Sequence, residues 1–451
     1  MITANAFSGK KFAVLGLARS GMAVAESLLA SGAQVTAWDR QDTPRRKLEG
    51  RATIADPMEI ELAQFDAIVV SPGVPLNTHP LTEKARAAGV PIIGDIELFA
   101  MARSELPAHK VVGITGTNGK STTTALVHHL LDQAGVPARM GGNIGLPVLG
   151  SDPLPVGGVY VLELSSYQID LTRSLACEAA ALINITPDHL DRYDGFAAYA
   201  ASKARLLAMQ DEGQFAVFGC DDDETRAVQA VEAGRRAAGR AVCASASGLA
   251  QHQGDWPSLQ GPHNLQNAAI AAALVEELGL TRAQVLEGLA SFAGLPHRME
   301  VLGTFDGVLV INDSKATNPA STAPALAAYA PGPEPRIHWI CGGLPKADNL
   351  DECIPFFGNV VAAYTIGEAG VLFTQLLSPY MPVHNCEMLC EATTRALDAA
   401  KPGDVVLLSP ACASFDQFRD YEVRGDTFRE IVAGLTGSDP AKAGFSARSA
   451  A

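Results

Sequence analysis

The sequence lacks any apolar run that could cross a membrane, and it is short of positive charge. No stretch approaches the roughly 18 apolar residues that a membrane helix needs. Lys and Arg number 34 against 49 Asp and Glu, which gives a net charge of −15. This balance argues against a general nucleic-acid or membrane-surface binder, because such proteins present a basic face. The apolar stretch 12–17 is too short for a signal peptide. We therefore expect a soluble, cytoplasmic protein.

Aromatic residues make up only 6% of the chain, so we expect cores built from Ala, Val, Leu and Ile. The cysteines include no Cys-x-x-Cys pair, and zinc sites usually need such close spacing. We therefore predict reduced, small and buried thiols, as is typical of a large cytosolic chain. Two of them, Cys386 and Cys390, are spaced by one helical turn. The others are Cys177, Cys220, Cys243, Cys341, Cys353 and Cys412.

A chain of 451 residues suggests about three domains, at roughly 150 residues each. The first third alternates between strand and helix patterns. Residues 11–15 and 34–38 are predicted strands around a helix at 22–29, and Gly32 suits the position just after that helix. A further strand, 66–70, ends in a Pro- and Gly-rich turn. This alternation predicts an α/β fold.

The four predicted strands of the last third, at 308–312, 337–341, 360–366 and 404–408, each run into a small or polar loop. Ligands of open α/β sheets sit outside the carboxyl ends of the strands, so these loops are where a site would lie. Asn318 followed by Pro319 is typical of a helix start. The predicted strands are 110–114, 158–164, 180–185, 215–219, 308–312, 337–341, 360–366 and 404–408, with a helix at 264–278.

The strongest motif is Gly113-Ile-Thr-Gly-Thr-Asn-Gly-Lys-Ser-Thr122, between a predicted strand and a predicted helix. Backbone amides of such a loop can cradle phosphates, Lys120 can reach the β- and γ-phosphates, and the Ser121 hydroxyl can bind Mg²⁺. The usual template places Gly at position 114, where this chain has Ile, and the chain has Gly116 instead. The loop is therefore a variant phosphate loop.

This variant, together with motifs along nearly the whole chain, resembles the Mur ligase family, which includes folylpolyglutamate and cyanophycin synthetases. Members are ATP-dependent ligases that join a carboxylate to an amino acid through an acyl phosphate. The resemblance implies three α/β domains: a Rossmann-like UDP-sugar domain at 1–106, a P-loop ATPase-type domain at 107–297 and a Rossmann-like amino-acid domain at 298–451. The supporting motifs lie at residues 141–145, 163–166, 184–191, 261–267, 295–298, 312–318 and 409–414.

Within the family, four pieces of this sequence look like the branch that adds D-glutamate to UDP-N-acetylmuramoyl-L-alanine in peptidoglycan precursor synthesis. These pieces are residues 16–21, 71–75, 94–99 and 409–418. The implied partners are small-molecule substrates, with no nucleic acid and no membrane, and we expect a monomer. The implied cofactors are ATP and two Mg²⁺ ions.

The resemblance also assigns roles in ATP and metal binding. Catalytic roles fall on Lys120, His189 and Lys203, and the family carbamylates the lysine that matches Lys203, so that it can bind Mg²⁺. From the residues alone, Glu163 could be a solvated strand end, His189 a structural histidine and Lys203 a solvated lysine. The implied metal ligands are Ser121, Glu163, His189 and carbamylated Lys203. The implied ATP-binding residues are Gly116, Thr117, Asn118, Gly119, Lys120, Ser121, Thr122, Asn267, Arg298 and Asp313, with Asn264 in support.

The remaining implied contacts involve the sugar nucleotide and the incoming amino acid. Two departures weaken the amino-acid pocket, because Leu344 stands where a polar residue is common and Tyr421 where relatives have Phe. Lys346 could also be a solvated loop lysine, and Asn264 only a helix N-cap. The UDP-sugar residues are Gly16, Leu17, Arg19, Ser20, Asp39, Arg40, Ser71, Asn143 and Ser165. The D-glutamate residues are Lys315, Thr317, Lys346, Ser414 and Tyr421.

Three alternatives stay open from the sequence. The Gly-x₄-Gly turn at Gly16, with Asp39 after it, is a weak fingerprint of an NAD-dependent oxidoreductase. A P-loop regulatory or scaffold protein could hydrolyse ATP without ligase chemistry. Inside the ligase class, a relative could add another amino acid, including L-glutamate.

Overall fold

The computed structural model describes residues 1–188, 192–329, 331–332, 334–345 and 348–438. The chain divides into two compact units. One comprises Met1–Ser245 with Ala269–Gly288, and the other comprises Ala246–Ala268 with the chain from Leu289 onward. His189, Lys346 and most of the C-terminal tail lie outside the described residues.

The first sheet of the first unit has five parallel strands in the order β3-β2-β1-β4-β5, with β1 in the middle. The predicted strands and the helix between the first two are confirmed, and Gly32 takes φ +80° just after that helix. The strands are β1 (Lys11–Leu15), β2 (Gln34–Trp38), β3 (Thr53–Ile54), β4 (Ala67–Val70) and β5 (Ile92–Ile93). The helices are α1 (Arg19–Ala30), α2 (Asp42–Arg46), α3 (Leu81–Ala88) and α4 (Asp95–Ala102).

The second sheet of this unit has six parallel strands in the order β11-β10-β9-β6-β8-β7. Its central strand β6 leads directly into the glycine-rich loop, so the carboxyl ends of its two neighbours, β8 and β9, lie beside that loop. The strands are β6 (His109–Thr115), β7 (Ala138–Gly142), β8 (Gly158–Glu163), β9 (Ala179–Leu182), β10 (Phe215–Phe218) and β11 (Ala241–Cys243). The helices are α5 (Lys120–Gln133), α6 (Ser166–Asp170), α7 (Gly195–Ala208) and α8 (Asp223–Arg235), followed by α9 (Pro262–Glu277) and α10 (Arg282–Ser291), whose residues are divided between the two units.

The second unit contains a third sheet in the order β12-β13-β17-β14-β15-β16, parallel except for the β12–β13 hairpin. Asn318 caps its helix α11 as predicted, because its side chain accepts the Ser321 amide and Pro319 follows it. The strands are β12 (Glu300–Phe305), β13 (Val308–Asn312), β14 (Ile337–Gly342), β15 (Val360–Ile366), β16 (Val383–Glu387) and β17 (Val405–Leu408). The helices are α11 (Pro319–Ala328), α12 (Gly370–Leu377), α13 (Leu389–Ala399) and α14 (Tyr421–Thr436). The expected α/β fold is confirmed.

The cysteines depart from the prediction of uniformly reduced thiols. Cys220 and Cys243 form a disulfide with their Cα atoms 5.7 Å apart. They are 23 residues apart in sequence, but β10 and β11 pair in parallel and bring their carboxyl ends together. Cys390 is exposed rather than buried, and it lies in α13 while Cys386 lies in β16, so the two do not share a helix. Spacing along the chain could not reveal a pairing that the sheet creates.

No helix in the described part of the chain combines the length and apolar character needed to cross a bilayer.

Candidate active site

The glycine-rich loop after β6 is shaped by two glycines and by Asn184, which follows β9. Gly116 has φ +156° and Gly119 has φ +82°, and a Cβ at Gly116 would lie only 3.0 Å from the Cβ of Ile183. The backbone amide of Thr117 donates to Asn184 Oδ1 at 3.1 Å, and that of Asn118 does so at 2.8 Å. Asn184 is not among the predicted site residues, although its place at the start of motif 184–191 is a signal that could have found it.

Lys120 begins α5 and lies folded against the loop. Its Nζ donates to the carbonyl oxygens of Gly116 at 3.0 Å and Thr117 at 2.8 Å. Ser121, which is buried, and Thr122 complete the first turn of the helix. A helix N-terminus favours anions through its unpaired amides and its dipole. The loop therefore presents one cation and a helix N-terminus within a single turn, which suits a polyphosphate.

Glu163 ends β8 and is 1% exposed, which excludes a solvated strand end. Its Oε1 accepts the side-chain amide of Asn143 at 2.9 Å. Its Oε2 is buried and has no hydrogen-bond partner in the part of the chain that the structure describes. An orphaned carboxylate oxygen beside a phosphate loop fits a Mg²⁺ ligand, because Mg²⁺ prefers oxygen donors. The described residues contain no group of three or more His, Cys, Asp and Glu side chains arranged to hold a metal.

Lys203 is 2% exposed on α7, so the solvated reading of this lysine is wrong. Its Nζ donates to the carbonyl oxygen of Gly116 at 2.7 Å and lies 4.6 Å from the centre of the Tyr199 ring. Burial, reinforced by the positive charge of Lys120, lowers the pKa of Lys203 to about 7. An amine with this pKa is substantially neutral near pH 7, and the neutral amine is the form that reacts with carbon dioxide.

The turn after β1 requires glycine at its end, since a Cβ at Gly21 would lie 1.8 Å from the carbonyl oxygen of Gly16. Ser71, which follows β4, donates its hydroxyl to the same carbonyl at 3.0 Å. Asp39 accepts the backbone amide of Leu17 at 2.6 Å with one oxygen and that of Gln41 at 2.9 Å with the other. Asp39 therefore holds the turn in shape through its own carboxylate.

The other predicted sugar-nucleotide residues of this unit lie around that turn and the second sheet. Arg19 is exposed and donates to the carbonyl oxygen of Gly145 at 3.0 Å, in the loop that carries Asn143. Ser20 lies in the first turn of α1, and Arg40 is exposed after β2. Ser165 caps α6, because its hydroxyl oxygen accepts the backbone amide of Gln168. The side-chain oxygen of Gln168 in turn accepts the backbone amide of Ser165.

In the second unit, Asn264 and Asn267 face each other within α9. The Asn267 side-chain amide donates to Asn264 Oδ1 at 3.2 Å, and that of Asn264 donates to the carbonyl oxygen of Gln260 at 3.1 Å. The helix begins at Pro262, so Asn264 lies inside it and the N-cap interpretation is wrong. Both side chains are buried.

Arg298, Asp313 and Lys315 lie close to the carboxyl end of β13. Burial raises the pKa of Asp313 to about 7, although its carboxylate accepts the Ser409 hydroxyl at 2.8 Å. The Arg298 Nε is buried and finds no partner among the described residues. The Lys315 backbone amide donates to the carbonyl oxygen of His297 at 2.8 Å, and its Nζ lies 5.6 Å from the centre of the Tyr421 ring.

Arg424 of α14 joins two of the loops predicted to bind ligands, and sequence analysis missed it. It is 1% exposed, and its guanidinium donates to the carbonyl oxygens of Ser314, Cys412 and Ala413 at 2.9, 3.0 and 3.2 Å. Burial lowers its pKa to about 10. Nothing local in the sequence marks it, because an arginine in a polar helix is usually solvated. Ser414 follows these carbonyls and is buried, whereas Thr317 is half-buried.

Three family models match the chain. They are the Mur ligase MurD-like N-terminal domain over residues 10–94, the Mur ligase middle domain over residues 114–275, and the Mur ligase glutamate ligase domain over residues 297–412.

Curated relatives align over nearly the full chain. A Novosphingobium aromaticivorans protein named UDP-N-acetylmuramoylalanine–D-glutamate ligase is 65% identical over 435 residues, covering 96% of this chain and 97% of that protein. Proteins of the same name from Sphingopyxis alaskensis and Zymomonas mobilis are 56% and 51% identical, each covering 96% of this chain and 100% of the relative.

Solved structures share the fold at low identity. UDP-N-acetylmuramate-alanine ligase from Thermotoga maritima superposes with a TM-score of 0.56 at 18% identity, covering 94% of this chain and 100% of that one. UDP-N-acetylmuramoylalanyl-D-glutamyl-2,6-diaminopimelate–D-alanyl-D-alanyl ligase from Acinetobacter baumannii gives 0.55 at 15% identity, covering 85% and 92%. At such identities the likeness shows the fold alone.

Proposed function

The chain belongs to the Mur ligase family, and from that premise we propose that it is an ATP-dependent ligase that joins D-glutamate to UDP-N-acetylmuramoyl-L-alanine. The observation that carries the proposal is the agreement between near-full-length relatives of that name and a phosphate loop backed by buried Glu163 and Lys203. The step belongs to cytoplasmic peptidoglycan precursor synthesis, and we propose a monomer acting on small molecules.

The proposed reaction has two steps. The alanyl carboxylate attacks the γ-phosphate of ATP and releases ADP, which forms an acyl phosphate. The amine of D-glutamate then attacks the acyl carbon, and the tetrahedral intermediate collapses to the amide and inorganic phosphate. The loop amides of residues 116–119 and the Lys120 ammonium stabilise the charge that spreads over the transferred phosphoryl group. Because acyl phosphates hydrolyse readily, we expect the enzyme to exclude water during turnover.

We propose that Mg²⁺ is held by Ser121, Glu163, His189 and carbamylated Lys203. Bound Mg²⁺ supplies charge neutralisation for the phosphate oxygens. The orphaned Oε2 of Glu163 and the neutral amine favoured at Lys203 support this assignment. His189 and Lys203 also take the proposed catalytic roles beside Lys120.

Ligand assignments follow the three proposed domains. Domain 1–106 takes the UDP-sugar through the turn at Gly16, and domain 107–297 takes the phosphates of ATP. Asn267, Arg298 and Asp313 take the nucleoside side of ATP, and domain 298–451 takes D-glutamate. The proposed glutamate residues are Lys315, Thr317, Lys346, Ser414 and Tyr421, and the proposed sugar-nucleotide set adds Asn143 and Ser165.

The deciding experiment measures phosphate release with ATP, UDP-N-acetylmuramoyl-L-alanine and a panel of D- and L-amino acids. We expect release that requires the sugar nucleotide and D-glutamate together. Release driven better by L-glutamate or another amino acid would assign the chain to a different branch. Release that ignores the sugar nucleotide would favour a simple ATPase, and binding of NADH, seen as enhanced fluorescence, would favour the oxidoreductase.

A further inference from the structure

The first turn of α4, which carries the motif Gly-Asp-Ile-Glu, fastens the first sheet to the second within the first unit. The Gly94 amide donates to the carbonyl oxygen of Leu171 at 3.0 Å, and a Cβ at Gly94 would lie 3.1 Å from the Leu171 Cβ. The Glu97 carboxylate accepts the backbone amides of Arg173 at 2.6 Å and Ser174 at 3.0 Å. Every one of these partners lies just after α6.

Asp95 lies between Gly94 and Glu97 in this first helical turn, and the residue is 5% exposed. Burial raises the pKa of Asp95 to about 6, and the backbone amide of Ile96 and the side chain of Gln168 lie close enough to oppose that rise. Gln168 in turn accepts the backbone amide and the hydroxyl of Ser165, at 3.2 and 3.1 Å, in the cap of α6. Asp95 is therefore one side chain removed from Ser165, a proposed sugar-nucleotide residue on the second sheet.

The other side of Asp95 lines a cavity under the sugar-nucleotide turn of the first sheet. Its Oδ1 is buried and has no hydrogen-bond partner within the described chain. The cavity, of about 10 Å³, is lined by Ser20, Gly21 and Ser71 together with apolar side chains of β1, β4 and α1. It has room for about one water molecule. The Ser71 hydroxyl donates to the carbonyl oxygen of Gly16, so the side of the cavity formed by Ser20, Gly21 and Ser71 belongs to the sugar-nucleotide turn.

We propose that Asp95 is a positioning residue for the sugar nucleotide, setting the turn at Ser20 and Ser71 against the Ser165–Gln168 cap. The inference rests on the proposed function, since it takes both walls as parts of one ligand site. A rigid ligand gains affinity only when both of its attachment points are held at the correct separation. A buried carboxylate between the two walls fixes that separation. Apolar packing alone would define it less sharply, because it lacks directional bonds.

The test compares Asp95→Ala and Asp95→Asn with Glu97→Gln as the matched control. Glu97 belongs to the same helical turn and clamps the same segment, but it does not line the cavity. We expect Asp95→Ala to raise the Kd for UDP-N-acetylmuramoyl-L-alanine, measured calorimetrically without ATP, by about tenfold. Asparagine keeps one acceptor oxygen, so Asp95→Asn should raise it by about threefold. The KM for ATP should stay within about twofold of wild type in both.

Glu97→Gln should lower the thermal midpoint while leaving the sugar-nucleotide Kd unchanged. An equal rise of Kd in the Glu97 variant, or an equal rise of the KM for ATP in the Asp95 variants, would reduce Asp95 to a structural residue and overturn the proposal. If Asp95→Ala does not fold, the sugar-nucleotide Kd of Asp95→Asn decides the question. A Kd equal to that of the wild type would then reject the inference. Failure of the proposed function is separate, because the wild-type enzyme would then neither bind nor use the sugar nucleotide.

Discussion

The Nζ of Lys203 donates a hydrogen bond to the carbonyl oxygen of Gly116 at 2.7 Å, so a buried lysine of α7 is fastened to the phosphate loop. The same carbonyl accepts from Lys120 at 3.0 Å. The amino groups of two lysines thus converge on one oxygen, and the positive charge of Lys120 helps to lower the pKa of Lys203. Conversion of Lys203 to a carbamate would replace this repulsion by attraction between opposite charges.

Lys203→Ala is expected to lower kcat by at least about a hundredfold, since it removes a group that the proposal places against the reacting phosphates. Phosphate release at saturating substrates measures the loss. Lys203→Arg serves as the control, because it keeps the charge but cannot be carbamylated, and it should be equally impaired. Wild-type activity after removal of carbon dioxide should recover on addition of bicarbonate. Full activity of the alanine variant, with no response to bicarbonate, would contradict the carbamate.

Lys120→Ala should remove most turnover, because no other loop side chain offers a cation to the transferred phosphoryl group in the described structure. We expect a fall in kcat of at least about a hundredfold, equivalent to about 3 kcal/mol of barrier. Lys110, an exposed lysine of β6, supplies a matched control, and Lys110→Ala should retain wild-type kcat. If kcat of Lys120→Ala stayed within about tenfold of wild type, the phosphate-loop assignment would fail.

Glu163→Gln should raise the Mg²⁺ concentration needed for half-maximal activity by about ten- to a hundredfold. The amide can still accept from Asn143, so the local fold is expected to persist, while the negative charge of the orphaned oxygen is lost. A titration of activity with Mg²⁺ at fixed ATP measures the shift. An unchanged Mg²⁺ requirement would show that Glu163 does not bind the ion.

The sequence was sufficient for features that depend on neighbours along the chain. The glycine-rich loop between a strand and a helix and the Asn318 cap are local patterns of Gly, Lys, Asn and Pro, and the structure has both elements where they are predicted. Burial of Lys203 and the Arg424 bonds depend instead on which elements pack together. A lysine or arginine in a helix has the same local pattern whether it faces solvent or a loop carbonyl. Those contacts, like the cavity beside Asp95, therefore needed the tertiary structure.

Cys220→Ser is expected to lower the free energy of unfolding by about 3 kcal/mol in non-reducing buffer, because the disulfide closes a 23-residue loop in the unfolded chain. Urea unfolding with and without reductant measures the difference, which should vanish when the wild type is reduced. Cys390→Ser is the control, since Cys390 is free and exposed. Alkylation of the denatured, unreduced wild type should label six cysteines, and labelling of all eight would disprove the bond.

The carboxyl of Asp95 should make stability depend on pH. Burial raises its pKa from 3.8 to about 6, so between these values the folded state binds more protons than the unfolded state. Stability attributable to Asp95 is therefore fully present below about pH 4 and is lost as the pH rises through about 6. Ser20, Ser71 and Gln168 face the carboxyl from α1, from the turn after β4 and from α6, and none of them titrates in this range.

Asp95→Asn removes this titration while preserving the shape of the side chain. The difference in unfolding free energy between wild type and Asp95→Asn should fall by up to about 3 kcal/mol from pH 4 to pH 6.5, since two pKa units correspond to that amount. Urea unfolding of both proteins across this range measures it, and the other titrating groups cancel in the subtraction. The same measurement on Glu97→Gln shows the pH dependence contributed by a carboxylate that accepts hydrogen bonds from backbone amides. A pH-independent difference for Asp95→Asn would mean that Asp95 has an ordinary pKa and that its buried oxygen is solvated.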